Sequence, residues 1–135
     1  MKFLPYAHPV LSCQEAKELE TRVLVDEAAE WAAMKLAGQG IAQLLVQDYA
    51  ELLPPPECLR IVALIGKGNN GGDALIACGQ LLADFPRARV ALILTVPAEK
   101  LRPLAARALQ QLEGRVETHQ VSEQSTTPEI TQMLS

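Results

Sequence analysis

The sequence predicts an α/β fold, a parallel sheet with helices on its faces, preceded by two helices. Three observations predict it. Short apolar runs of strand length alternate with stretches of helical period from Ile61 onward. A proline triplet, Pro54-Pro55-Pro56, separates these units from a helical N-terminal segment. A glycine-rich loop joins the first strand to its helix, at the end of the strand where open α/β sheets bind ligands.

Each element has its own warrant. Ser12-Cys13-Gln14-Glu15 fits a capping box, so a helix is expected from Cys13 to about Val25. A second helix is expected from Asp26 to about Leu53. Ala29, Ala33, Leu36, Ala37, Ile41, Leu44 and Leu45 recur there at three- and four-residue steps as its apolar stripe. Gly38 and Gly40 weaken this helix by about 1 kcal/mol each against Ala and mark a bend or a close helix contact. Ile61–Ile65 suits a strand buried on both faces, and Val90–Val96 a second. Between them, Ala74–Phe85 carries a helical stripe of Leu75, Cys78, Leu81, Leu82 and Phe85. Ala98–Leu112 reads as a helix if Pro103 falls in its first turn, and Arg115–Val121 as a weak third strand. Thr127-Pro128-Glu129 starts a last helix, with Thr127 as N-cap, which runs to Ser135 without a returning strand. The sheet is therefore expected to be incomplete and the domain truncated, leaving an exposed edge.

Composition sets the outer limits. The 135 residues allow one domain. A hydrophobic content of 49% with 21% charged residues is that of a globular protein. A net charge of −4 gives no reason to expect nucleic acid or an acidic membrane as partner. Met1–Gln14 is broken by Pro5 and Pro9 and has no secretory apolar core. The uncharged run Leu36–Gln47 is far shorter than the roughly 18 residues that span a bilayer. Cys13, Cys58 and Cys78 lack paired spacing and read as reduced thiols of a cytoplasmic protein.

The chemistry gathers in Gly66-Lys67-Gly68-Asn69-Asn70-Gly71-Gly72-Asp73. Its glycines expose backbone N–H groups and permit positive φ angles, and the following helix points its positive end at the loop. An anion cradle is the physical reading. Asn70-Gly71 is also a hairpin dipeptide, but the run after it has helical period. Asp73 serves as the N-cap of that helix, whether or not it also touches ligand. Lys67 is either a solvated loop charge or a phosphate contact. His8 and His119 stand alone, and Trp31 and Met34 belong to the core or an interface. Gly66, Gly68 and Gly71 spell G-x-G-x-x-G, a weak signal alone. The second strand ends Leu94-Thr95-Val96-Pro97 without the carboxylate that would hold an adenosine ribose, which argues against an ordinary NAD dehydrogenase. No Gly-Lys-Ser/Thr follows, which excludes a Walker loop.

The eight-residue loop closely resembles the signature of NAD(P)H-hydrate epimerases, the YjeF N-terminal domain family. Ala33-Met34-Lys35-Leu36-Ala37-Gly38 is similar to that family's second-helix segment. Ala74 departs from it, standing where the family often has a further glycine. The resemblance spans the chain as one domain, 1–56 a helical segment and 57–135 nucleotide-binding βα units, and implies a Rossmann-like three-layer α/β/α fold. It implies an isomerase that interconverts the R and S forms of hydrated NADH and NADPH (NADHX and NADPHX), with a homodimer among the expected states. Asn69, Asn70, Gly71, Gly72 and Asp73 would contact the nucleotide, and Asn70 would lend its side-chain oxygen to a potassium ion. The family's acid–base carboxylate and the Pro-Ser-Gly-like segment of its potassium site lie beyond Ser135, so no catalytic residue is assigned and the chain alone is expected to be inactive. The alternative is a non-catalytic binding or dimerisation module, like the related domain of mRNA-decapping scaffolds.

Overall fold

The computed structural model describes residues 10–52, 58–122 and 125–133. The proline triplet, His8 and Ser135 lie outside them. The chain divides into two compact units, Met1–Ala33 and Met34–Ser135.

The first unit holds helix α1, Cys13–Val23. The capping box forms as read: the Glu15 N–H donates to Ser12 Oγ at 3.3 Å, and the Ser12 N–H returns to the Glu15 carboxylate at 2.8 Å. Those bonds favour the ionised carboxylate and hold Glu15 below its ordinary pKa. Helix α2, Glu27–Leu52, starts here and continues through the second unit. Asp26 caps it by accepting from the Ala29 N–H at 2.8 Å.

The expected apolar stripe of α2 is corrected. Leu36, Ile41, Leu44 and Leu45 are exposed, whereas Trp31, Met34, Gly38 and Ala42 are buried. The period is the same, but after Trp31 and Met34 the inward side is carried by two small residues, Gly38 and Ala42. A Cβ at Gly38 would lie 2.5 Å from Ile76 Cβ and 2.7 Å from the Asp73 carbonyl oxygen, so backbone meets helix closely there. Of the two readings of Gly38, the close contact is the correct one.

The second unit is built on three parallel strands in the order β1 (Arg60–Ile65), β2 (Arg89–Leu94) and β3 (Glu117–Gln120). Register runs Arg60↔Arg89 through Ile65↔Leu94, then Ala91↔Glu117 through Leu94↔Gln120. Helix α3, Asn69–Asp84, packs on β1 and β2, and helix α4, Pro103–Gln110, packs on α3. Ile61 joins a core of Ala42, Val46, Ala77, Leu81 and Phe85. Ile65, Leu75 and Leu92 are fully buried.

Three further expectations shift. Strand β1 is buried on one face only: Val62 and Leu64, on the other, are 49% and 70% exposed. The Ala98–Leu112 helix is two elements, a 3₁₀ turn at Ala98–Lys100 and then α4 with Pro103 at its first position. Pro103 has no N–H to give, so it begins a helix and cannot continue one. Helix α5, Thr127–Met133, is capped one residue early: the N–H and hydroxyl of Thr126, not Thr127, donate to the Glu129 carboxylate at 2.7 and 3.0 Å. Among the described residues no helix is long and apolar enough to cross a membrane.

Candidate functional site

The site begins where β1 ends. Parallel pairing carries Ile65 to the sheet's carboxyl edge, and there its carbonyl accepts from both the N–H and the hydroxyl of Thr95, at 3.0 and 3.1 Å. Thr95 thus occupies the place after β2 where a ribose-binding carboxylate would stand, and ties the two strand ends together.

The glycine-rich segment is not an extended loop. Helix α3 starts at Asn69, five residues earlier than Ala74, so Asn69, Asn70, Gly71, Gly72 and Asp73 form its opening. The N-cap is Gly68, which has no side chain to cap with, and Asp73 lies inside the helix. The N-cap role expected of Asp73 is thereby corrected. Gly68 caps through its backbone, its carbonyl accepting from the N–H groups of Gly71 and Gly72 at 3.1 and 3.4 Å. The N–H groups of Asn69 and Asn70, at the first two helical positions, have no preceding carbonyl to bond within the helix and point out of its positive end.

Positive φ is not what the glycines supply. Gly114 alone among the described glycines has it. Gly71 and Gly72 are buried and needed for room: a Cβ on Gly71 would run into the Gly66 carbonyl, and one on Gly72 would stand 2.6 Å from the Sδ and Cε of Met34. Met34 is therefore a packing residue of this turn, which settles it as core.

An open cleft of about 440 Å³ lies over the helix start, lined by Leu64, Gly66, Gly68, Asn69, Asn70, Gly71 and Arg102. Asn69 and Asn70 are exposed in it. Gly72 and Asp73 are not among its lining residues, and Asp73, half-buried, has its carboxyl pushed above the usual value by desolvation. Lys67 is exposed but likewise not part of the lining.

Arg102 escaped the sequence reading. It is the N-cap of α4, and its backbone N–H donates to the Lys67 carbonyl at 3.0 Å. Its guanidinium reaches Asn69 Oδ1 at 3.5 Å, a long contact. The only available signal was Pro103, which fixes a helix start one residue on.

Among the described residues no three His, Cys, Asp or Glu side chains gather as metal ligands. Asn70 offers one amide oxygen, the donor type a hard cation takes, and one oxygen does not make a coordination shell. His119 keeps its isolated character: its Nε2 is buried without a hydrogen bond and lies 3.9 Å from Glu117.

Residues 31–133 match the family model described as YjeF-related protein N-terminus. The chain is 32% identical over 124 residues to the bifunctional NAD(P)H-hydrate repair enzyme Nnr of Salinibacter ruber, covering 90% of this chain and 22% of that protein. It is 33% identical over 72 residues to the NAD(P)H-hydrate epimerase of Schizosaccharomyces pombe, covering 53% of this chain and 28% of that one. The chain thus spans less than a third of the length of these two relatives. In fold it is similar to the crystal structure of yeast ynu0 (YNL200c), with a TM-score of 0.67 and 20% identity over 89% of this chain and 49% of the yeast chain.

Proposed function

This chain belongs to the YjeF-related N-terminal family, and from that premise we propose that its cleft binds hydrated NADH and NADPH for their R/S epimerisation. The observation that carries the reading is the helix start: Gly68, Asn69, Asn70 and Gly71 line one open cleft at the carboxyl end of β1. Orphan N–H groups at a helix N-terminus suit a phosphate, and the amides of Asn69 and Asn70 can both donate and accept toward the rest of a nucleotide. Gly72 and Asp73 act behind that wall, Gly72 by letting α3 approach Met34 and Asp73 as the nearest carboxylate of the same helix. Asn70 would contribute one oxygen to a potassium ion, with the remaining ligands supplied from outside the cleft lining. The free, exposed Cys13 and Cys58 support a reducing compartment, the cytoplasm.

Epimerisation needs proton transfer, to which a positioned acid or base contributes about 10²–10⁴-fold. Among the described residues the cleft lining contains no carboxylate and no imidazole. That favours a second reading, in which these residues bind the nucleotide without performing the chemistry. The experiment is a titration with NADPHX, followed by thermal melting and by chromatographic separation of the R and S forms. Binding that raises the melting temperature, and is lost in Asn70→Ala, supports the nucleotide reading. Absence of any shift at saturating NADPHX in a cooperatively folded sample overturns it. Acceleration of R/S interconversion that disappears in Asp73→Asn assigns the proton transfer to Asp73, whereas binding without acceleration supports the second reading.

A further inference from the structure

We infer that Arg102, not Lys67, is the residue that recognises phosphate at this cleft. The inference rests on the nucleotide reading above and identifies the side chain that reads charge in it. Lys67 sits inside the glycine-rich motif, yet it is exposed and absent from the lining. Arg102 comes from another βα unit, and tertiary structure brings its guanidinium over the first residue of α3.

The electrostatics of that position are unbalanced. The N-terminus of α3 carries a partial positive charge, and Arg102 adds a full one beside it. Among the described residues no carboxylate pairs with Arg102; its side-chain partner is the neutral amide oxygen of Asn69 at 3.5 Å. Two like charges facing one open cleft repel each other unless an anion lies between them, and field lines focus into such a concave site. The ligand chemistry that removes the repulsion is a phosphoryl group. It can accept from the Asn69 and Asn70 N–H groups and from the guanidinium fork together.

The placement is also fixed by more than the long side-chain contact. The Arg102 N–H donates to the Lys67 carbonyl at 3.0 Å, so the start of α4 is pinned to the turn that precedes α3. Pro103 at the next position holds the helix start in register with that bond. Replacement of the Arg102 side chain leaves the backbone bond intact, so variants there report on charge and reach, not on folding.

The test is calorimetric titration of the chain with NADPH, NADH and inorganic pyrophosphate. Wild type is compared with Arg102→Gln, Arg102→Lys and Lys67→Gln, with circular dichroism and melting as fold checks. Removing a charge-assisted contact of this kind is expected to weaken binding about 10- to 100-fold in Arg102→Gln. Arg102→Lys recovers part of that loss, because an ammonium keeps the charge and loses the fork. Lys67→Gln stays within about twofold of wild type, and wild-type affinity falls more steeply with salt than that of Arg102→Gln. Equal weakening toward NADPH and NADH puts Arg102 on the pyrophosphate both share; weakening toward NADPH alone puts it on the 2′-phosphate. Wild-type affinity in Arg102→Gln, or the larger loss in Lys67→Gln, overturns the inference while leaving nucleotide binding in place. If wild type binds none of the three probes, the nucleotide reading itself falls and takes this inference with it.

Discussion

Gly71 and Gly72 differ from Gly66 and Gly68 in everything except residue type. The first pair is buried, with no room for a Cβ; the second has open space where a Cβ would stand. A single motif therefore divides into a packing half and a surface half. The packing half lets helix α3 begin immediately after the strand and press against Met34. The surface half, with Asn69 and Asn70, shapes the cleft. Glycine in such a motif is too readily credited to positive φ, since none of these four uses it.

Substitutions break the comparison if it is wrong. Gly71→Ala carries the largest expected effect. Its Cβ meets the Gly66 carbonyl, which is backbone and cannot rotate away, so a loss of about 3 kcal/mol is expected in urea unfolding. Gly38→Ala meets the Ile76 Cβ and the Asp73 carbonyl, and should cost about 2 kcal/mol by the same measurement. Gly72→Ala meets only the flexible tip of Met34, and about 1 kcal/mol is expected, since a thioether side chain adapts. Gly66→Ala and Gly68→Ala should stay within about 0.5 kcal/mol of wild type. Equal losses at all four motif positions would show that the division is false.

Thiol chemistry sharpens the same contrast, between Cys78 packed on α3 and Cys13 and Cys58, which are exposed elsewhere in the chain. Burial pushes the Cys78 thiol up to about 11, while Cys13 and Cys58 are exposed. Alkylation at pH 8 followed by mass spectrometry should modify Cys13 and Cys58 and spare Cys78 until denaturant is added. The raised pKa means the native state prefers the protonated thiol. That contribution is complete below the ordinary value of 9.0 and is lost as pH rises through about 11, so alkaline unfolding should be delayed in Cys78→Ala relative to its own neutral stability. Rapid labelling of native Cys78 would count against the packing of α3.

The smallest effect belongs to Asp73. Desolvation raises its pKa, so its stabilising contribution is present below the ordinary carboxylate value of 3.8 and is lost as pH rises above the folded value. At neutral pH the ionised side chain is a slight cost, and Asp73→Asn should melt no lower than wild type. A clear drop in melting temperature would show that Asp73 makes a stabilising bond after all.

Much of this was legible because it is local. The Ser12–Glu15 capping box spans four residues, and Pro103 fixes its own φ, so both are written in neighbouring positions. The β–α order followed from a change of period along the chain. The α2 stripe was misread because the larger Leu36, Ile41, Leu44 and Leu45 outweigh Gly38 and Ala42, although small residues are what allow helices to approach. Asp73 was misread as a cap because an Asp before an apolar run looks like one, and nothing local says that a glycine has already begun the helix.

By itself, then, the sequence determined the Ser12 cap of α1, the helix start at Pro103, the parallel alternation and the glycine-rich motif, all of which depend on bonds and sterics within a few residues. Tertiary structure decided which side of α2 is buried, which glycines must be glycine, and which cation faces the cleft. Asn69 and Arg102 are 33 residues apart in the chain. Their meeting depends on β2 pairing with β1 and on α4 packing against α3, and no short-range preference encodes that contact.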